Sequence, residues 1–437
     1  MPDAGKLNMA VEEDRVKSIY SWNRRDFITK PIAGLAASQI LGGIRPLLGQ
    51  TAAAEAGTPK QSANNEPIFR TLGRTGLKLP IVSMGVVDAD VGGLIPRSYE
   101  LGIRFFDSAA YYQDGRNEES VGKMIKQIGV RDKVVLGTKI MRPGFHPGGA
   151  NSYSDPRVYT PTEVKAYFDD VLAGSLKRLQ TDHVDILYNH SCDTEQEIAS
   201  EGALASLTEA KMAGKTKFIG VSSHKGELAL KTAMKLGVYD VVNIQFNYTM
   251  AEDEGLRKAI DGAARSGIGV IAMKTLAGGT RRIGLQASQQ PLTANPAAML
   301  KWVLRHESIT TIVSGFTDYD QLDQNWAVAS NLNYTAEEHA FLVSSRAAEE
   351  AQFCRQCGDC VSGCPRRADI PRLMRAHMYA AQYAQYWLAT ETLAEIEPGR
   401  GLQACEKCKT CQAKCNHSVN IARKIQKLKE IASIGRG

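Results

Sequence analysis

Four side chains of this sequence have the chemistry of an acid–base centre. Asp107 and Tyr112 lie in GIRFFDSAAYY, Lys139 sits near the end of VVLGTKI, and His190 ends HVDILYNH. A phenol with a pKa near ~10 is a poor proton donor at neutral pH unless a cation stabilises its phenolate. Lys139 can be that cation and Asp107 can hold it as an ion pair. His190 can donate to an oxygen that is gaining charge and steer it toward Tyr112. Such a set suits proton delivery to the alkoxide left when hydride adds to a carbonyl. The second chemical signal is sulfur. Cys354, Cys357, Cys360 and Cys364 run CxxCxxCxxxC and are followed by Pro365; Cys405, Cys408, Cys411 and Cys415 repeat the spacing, with Asn416 in place of the proline. Only Cys192, two residues past His190, stands outside these runs.

The first set needs elements that bring distant residues together. Each polar group closes an apolar run, which is where a parallel β/α barrel puts its chemistry. Strand-like runs fall at Ile81–Val87, Ile103–Phe106, Val134–Ile140, Val184–Tyr188, Lys217–Val221, Val241–Phe246, Gly269–Lys274 and Thr311–Gly315. Amphipathic segments alternate with them at Asn117–Ile128, Pro161–Leu179, Leu204–Ala213, Gly226–Leu236, Gly255–Ser266, Pro296–Arg305 and Gln321–Ala327. Eight strands with helical crossovers predict a closed (β/α)8 TIM barrel. A doubly wound open sheet is the rival, but no GxGxxG turn follows the first strand, where that fold would place one. RTLGRTGLKLP, before the first strand, predicts a small hairpin across the barrel bottom.

The same residues resemble the aldo-keto reductase family. FDSAAYY is similar to that family's Asp-Thr-Ala-x-x-Tyr segment with Ser108 for Thr, NEESVG to its Ser-Glu-Glu-x-x-Gly helix start, and GTKI and VDILYNH to its lysine and histidine segments. RTLGRTGLKLP and FIGVSS also match, and the resemblance runs from about Phe69 to Leu342. It implies Asp107, Tyr112, Lys139 and His190 as catalytic residues, with the family spacing choosing Tyr112 over Tyr111. It also implies a nicotinamide cofactor, because none of the four residues carries hydride. The implied contacts are Ser222, Ser223, Gln245 and Lys274 for the nicotinamide, and Gly315, Gln324 and Asn325 toward the adenine and 2′-phosphate. The usual Ser-Asn is here Ser222-Ser223. The Gly315–Asp318 loop lacks the basic residue a 2′-phosphate needs, and Asp318 would repel it, so NADP and NAD both stay open.

The insertion Arg142–Thr160 lies at the same mouth and is expected to form a substrate lid, with His146, Tyr153 and Tyr159 as candidates. Asp88 and Asp90 follow the first strand there. Carboxylates and aromatics together suit a small carbonyl or sugar-like substrate.

The cysteine runs resemble bacterial-type ferredoxin modules with two 4Fe–4S clusters. That resemblance implies crossed ligands: Cys354, Cys357, Cys360 and Cys415 on one cluster, and Cys405, Cys408, Cys411 and Cys364 on the other. Zinc sites and a disulfide framework are the rivals. A mostly helical domain is expected, with the aromatic stretch Leu373–Leu393 packing around the clusters or against the barrel. The basic face of Ile421–Ile431 could dock a redox partner.

The chain has 437 residues, 43% hydrophobic and 23% charged, with a net charge of +6. From Glu350 onward there are 14 Lys+Arg against 8 Asp+Glu, and 39 of each sign precede them, so the whole surplus sits in the cysteine-rich tail. Two thiolate-bound clusters would offset most of it, at about two negative charges each. No nucleic-acid partner is called for. At the other end, Asn23–Lys30 (NRRDFITK) resembles a twin-arginine export signal, followed by an apolar run, Pro31–Gly43, and small residues spaced for cleavage near Ala54 or Ala56. That run is too short to span a bilayer as a finished helix. The organisation expected is a signal over 1–56, a linker over 57–66, the barrel over 67–345 and the cluster domain over 346–437. The expected location is periplasmic or otherwise extracytoplasmic, delivered by the twin-arginine translocon, with a cytoplasmic location as the alternative. The functional alternative is an electron-transfer or docking protein whose barrel is a non-catalytic scaffold.

Overall fold

The structure is a computed structural model that describes residues 66–434, apart from 88, 90–92, 147–152, 156, 278–294, 351–352, 384 and 407. The twin-arginine-like segment, its cleavage site, Asp88 and Asp90 lie outside the described residues. So do the side chains of His146 and Tyr153.

Eight parallel strands close into a barrel: β1 (Val82–Gly85), β2 (Phe105–Asp107), β3 (Val135–Ile140), β4 (Val184–Asn189), β5 (Thr216–Ser223), β6 (Val241–Gln245), β7 (Gly269–Met273) and β8 (Thr311–Gly315). They pair in chain order and β8 returns to β1, through Ile312↔Val82 to Gly315↔Gly85. Strands such as Val241–Gln245 are buried along their whole length, as parallel strands covered on both faces must be. The eight crossover helices are α1 (Leu94–Leu101), α2 (Arg116–Gln127), α3 (Pro161–Leu179), α4 (Glu201–Met212), α5 (Gly226–Leu236), α6 (Glu254–Arg265), α7 (Pro296–Leu304) and α8 (Tyr319–Trp326). Helix α3 shows how its start is written in the sequence. The Thr160 hydroxyl accepts from the Glu163 N–H, Glu163 returns to the Thr160 N–H at 2.9 Å, and Pro161 opens the helix. Helix α1 was not expected from the sequence: its eight residues include Pro96 and bury only Leu94, Ile95 and Ser98.

The hairpin Phe69–Thr71/Lys78–Pro80 plugs the barrel bottom. Its Leu72 and Leu79 pack with Phe105, Ile186, Tyr188, Val241 and Ile271 inside the barrel. Gly73 turns there at φ +48°, and a Cβ would lie 2.4 Å from the Gly267 carbonyl oxygen, so no side chain fits.

Helix α9 (Ala336–Glu350) runs straight through the expected 345/346 boundary. Beyond it come α10 (Ile370–Ala381), α11 (Tyr386–Ala394) and α12 (Ile421–Ile434), with the two cysteine loops between them. This lobe shares one apolar cluster with the barrel: Phe353, Leu373, Met374, Met378 and Leu428 join Tyr248, Ala298 and Met299. The aromatic stretch is thus two helices laid on the barrel rather than one. Among the described residues, no helix is long and apolar enough to cross a membrane.

Candidate functional site

Strands β2, β3 and β4 bring the four expected catalytic residues to one place at the C-terminal mouth. Asp107 is the last residue of β2, Lys139 is next to last in β3, and His190 follows β4 directly. Lys139 Nζ lies 2.7 Å from Asp107 Oδ2, with the two side chains 2% and 4% exposed. The same nitrogen donates to the Ser108 carbonyl at 2.5 Å and sits 5.3 Å from the centroid of the Tyr112 ring. The Tyr112 and His190 rings meet edge-on at 6.0 Å.

Burial and charge set the protonation states. Burial pushes Lys139 below its usual value, and the Asp107 charge opposes that shift. Burial pushes Asp107 up, and Lys139 opposes that in turn. His190 is held well below its usual value, first by burial and then by the charges of Lys139 and Arg375, so the ring is neutral at pH 7. Its buried Nδ1 has no hydrogen-bond partner. Tyr111 is pushed well above its usual value, first by burial and then by Tyr112, Glu391 and Glu395. Tyr111 thus faces carboxylates while Tyr112 lies beside the ammonium, which physically separates the two adjacent phenols.

The turn after β2 is built to present Tyr112. Gln113 and Asp114 are left-handed at φ 54° and 56°, and Gly115 follows at φ 85°. Two non-glycine residues in that region cost about 1–2 kcal/mol each. The Gln113 side chain donates to the Val87 carbonyl at 3.1 Å and helps to hold the turn. Sequence reasoning missed Asn243, whose Nδ2 donates to Asp107 Oδ2 at 3.3 Å from across the barrel. The only signal was its place on the inward face of β6, two residues before Gln245.

The expected nicotinamide contacts also gather at this mouth, but the cluster lobe covers them. Ser222 accepts from the Ser191 N–H, Ser223 donates to Asp193 Oδ1, and Gln245 Nε2 donates to the Cys354 carbonyl at 3.5 Å. Lys274 donates to the Tyr379 hydroxyl on α10 and lies 4.5 Å from that ring's centroid. Arg375 of α10, 2% exposed, reaches Asp193 Oδ2 at 3.2 Å and His224 Nδ1 at 2.6 Å, and also pairs with Glu395. Because a guanidinium can only donate, His224 accepts at Nδ1 and is neutral. Burial and the Arg375 charge lower its pKa to about 3. Burial pushes Asp193 up, but His224, Arg375 and Arg372 outweigh it and hold the carboxyl well below its usual range. At the far end, Gly315 and Gln324 are exposed and Asn325 is buried. Asp318 caps α8, accepting from the Gln321 N–H at 2.8 Å. The serine hydroxyls and the Gln245 amide are the right donors for a carboxamide, yet with the lobe docked there is no room for a ring between them and Cys354.

Of the expected lid, Phe145–His146 and Tyr153–Ser154 form a small antiparallel pair. Tyr159 is engaged locally: its hydroxyl donates to Asp155 at 3.0 Å and Arg157 lies over its ring. A groove of about 700 Å3 opens beside Tyr111, lined by Met141, Phe145, Tyr167, Asp170 and Lys177.

The thiols of the two cysteine runs lie near enough to influence one another. The Cys354 thiol feels Cys360, Cys357 and Cys415, whereas Cys405 feels Cys364, Cys411 and Cys408. Thiolates are soft donors of the kind that hold iron–sulfur clusters.

Comparison with known proteins agrees with both halves. Residues 83–296 match the aldo/keto reductase family and residues 353–420 match the 4Fe-4S dicluster domain. An uncharacterized oxidoreductase of Bacillus subtilis is 30% identical over 48% of this chain and 67% of its own length. The chain belongs to the aldo/keto reductase family. An L-galactose dehydrogenase of Arabidopsis thaliana is 26% identical over 60% of this chain and 88% of its own length. An L-glyceraldehyde 3-phosphate reductase of Escherichia coli O157:H7 is 25% identical over 62% and 90%. Among solved structures, the holo form of an aldo-keto reductase from Bacillus halodurans aligns with a TM-score of 0.52 at 24% identity, covering 64% of this chain and 96% of that one, which supports the barrel fold. This aldo/keto reductase is therefore an oxidoreductase barrel fused to an iron–sulfur domain.

Proposed function

We propose that the barrel interconverts a carbonyl and an alcohol, with Tyr112 as the proton donor. The observation that carries this is the placement of Lys139: 2.7 Å from Asp107 and 5.3 Å from the centre of the Tyr112 ring. An ammonium there stabilises the phenolate as the proton leaves. Neutral His190, edge-on to Tyr112, can donate to the substrate oxygen and orient it without adding a second positive charge. When bound at Ser222, Ser223 and Gln245, a nicotinamide would supply the hydride; NAD and NADP are both compatible with the exposed Gly315 end. The groove beside Tyr111, with aromatic walls and Asp170 and Lys177 at its edge, suits a small sugar-like carbonyl, in keeping with the relatives named for galactose and glyceraldehyde phosphate. In the cysteine lobe, two 4Fe–4S clusters would be held by the crossed sets and would exchange electrons with a redox partner. The twin-arginine-like segment supports export, a route suited to a protein that loads its clusters before it crosses; replacing Arg24 and Arg25 by lysine and finding the protein still exported would reject it.

The test of the reaction is Tyr112→Phe with a panel of aldoses and NADH or NADPH. Loss of at least about 10²-fold in rate is expected, the usual scale for general acid catalysis. Undiminished turnover would remove the proposal. A non-catalytic barrel remains a second reading because the cluster lobe covers Gln245, and it predicts no carbonyl reduction by wild-type protein under any cofactor.

A further inference from the structure

The groups that would greet a nicotinamide ring are already held, Gln245 and Lys274 directly by the cluster lobe and Ser222 and Ser223 by barrel residues. Gln245 is bonded to the Cys354 carbonyl, Lys274 to Tyr379, and Ser223 to Asp193, which Arg375 of α10 pins from the other side. The cavity left between Gln245, Phe353, Cys354 and Arg375 is about 10 Å3, room for one water and far too little for an aromatic ring. The Gly315 and Gln324 end stays exposed, so only the ring half of the seat is closed. The contacts of the lobe to the barrel are a few polar bonds to the rim plus one shared apolar cluster.

We infer that the cluster lobe and the nicotinamide ring take turns in one seat: the ring enters only when the lobe lifts, and the docked lobe holds the reductase closed. This rests on the reading above that Ser222, Ser223 and Gln245 are a nicotinamide seat. Two consequences follow. The apparent nucleotide affinity is the intrinsic one multiplied by the fraction of molecules with the lobe lifted, so weakening the lobe's grip must tighten nucleotide binding. By reciprocity, bound nucleotide must loosen the lobe by the same factor.

The experiment uses full-length, cluster-loaded protein under anaerobic conditions. Dissociation constants for NADH and NADPH are measured for wild type, Tyr379→Phe and Arg375→Met, and hydrogen exchange of α10 is followed with and without nucleotide. Tyr379 and Arg375 belong to the lobe, so a merely damaged protein would lose affinity, whereas the shared seat predicts a gain. Loss of one hydrogen bond to a charged group shifts the docking equilibrium about tenfold or more. Tyr379→Phe should therefore bind about tenfold tighter than wild type, and Arg375→Met, if it folds, tighter still. Residues 370–381 should exchange faster when nucleotide is added to wild type. Equal or weaker binding by Tyr379→Phe, or α10 made slower by nucleotide, overturns the inference and leaves the nicotinamide reading standing. Absence of binding to every form overturns both.

Discussion

The ion pair beneath Tyr112 gives the sharpest test of the proposed chemistry. In Asp107→Asn the Lys139 ammonium stays 2% exposed, and its remaining hydrogen-bond partner among the described residues is the Ser108 carbonyl at 2.5 Å. Removing one member of a buried pair costs about 3–5 kcal/mol, because the other charge is left uncompensated. For a domain of this size that lowers the unfolding midpoint by about 10 °C, at about 2–4 °C per kcal/mol. The same change removes the charge that opposes the downward shift of Lys139, so the amine gives up its proton more readily and the cation beside Tyr112 is lost. Carbonyl reduction should fall by about 10²–10⁴-fold. Replacing both partners in Asp107→Asn/Lys139→Met removes both charges of the pair. Its midpoint should recover most of the loss although its activity stays absent, a strongly non-additive cycle. The measurements are thermal unfolding by circular dichroism and nucleotide oxidation with an aldose panel. An Asp107→Asn protein that unfolds at the wild-type temperature, or a double variant whose loss is the sum of the two single ones, would show that Lys139 is not held as a buried ion pair.

The crossed cysteine sets predict that Cys415→Ser and Cys354→Ser damage the same cluster and Cys364→Ser the other; spin-resonance spectra of the first two should match each other and differ from the third, and pairing by sequence neighbourhood instead would reverse the match. Acid should destabilise the fold from pH 6.5 downward. The pKa values of His224 and His377 are lowered to about 3, so the unfolded chain binds protons that the folded one refuses; stability present above 6.5 is lost as pH falls, by about 2 kcal/mol for each histidine between pH 7 and 5. Denaturant midpoints at the two pH values check this. His190, neutral well below 6.5, should leave no ionisation near that pH in the rate profile, and a clear bell limb at 6.5 that disappears in His190→Gln would contradict its assignment. Asn243→Ala should lower the rate by no more than about tenfold, since Lys139 still holds Asp107, and should lower the unfolding midpoint by a few degrees.

The barrel was legible because its signals are local. Apolar runs that end in Asp107, Lys139 and His190 specify strands and their exits, and the pairing of β2 with β3 and β3 with β4 does the rest, setting Asp107 opposite Gly137 and Lys139 opposite Tyr188. The cysteine spacing was equally local, and residues 353–420 match the 4Fe-4S dicluster domain that it resembles. What could not be read were contacts between residues far apart in the chain with no periodic pattern. Asn243 lies 136 positions from Asp107 and looked like one polar residue in an apolar strand. Helix α1 was too short and too weakly apolar to announce itself.

The lobe's position on the mouth belongs to the same class, and it gives residues that stood out in the sequence partners the sequence did not show. Read along the sequence, Gln245 and Lys274 are cofactor contacts and Tyr379 is one aromatic in a helix. In space, 109 positions separate Gln245 from the Cys354 carbonyl that accepts its amide, and 105 separate Lys274 from Tyr379. Arg375 explains why the lobe holds this place. Buried at 2% exposure, it needs counter-charges, and the barrel offers Asp193 at 3.2 Å while the lobe offers Glu395. An arginine that was merely structural within the lobe would be satisfied by Glu395 alone. Instead its guanidinium is divided between the two parts, so the lobe cannot leave the mouth without exposing Arg375 and separating it from Asp193. Water can solvate both groups once they are exposed, so this charged contact opposes separation less than the shared apolar cluster does. A charged bond of this kind ties the iron–sulfur domain to the mouth of the barrel.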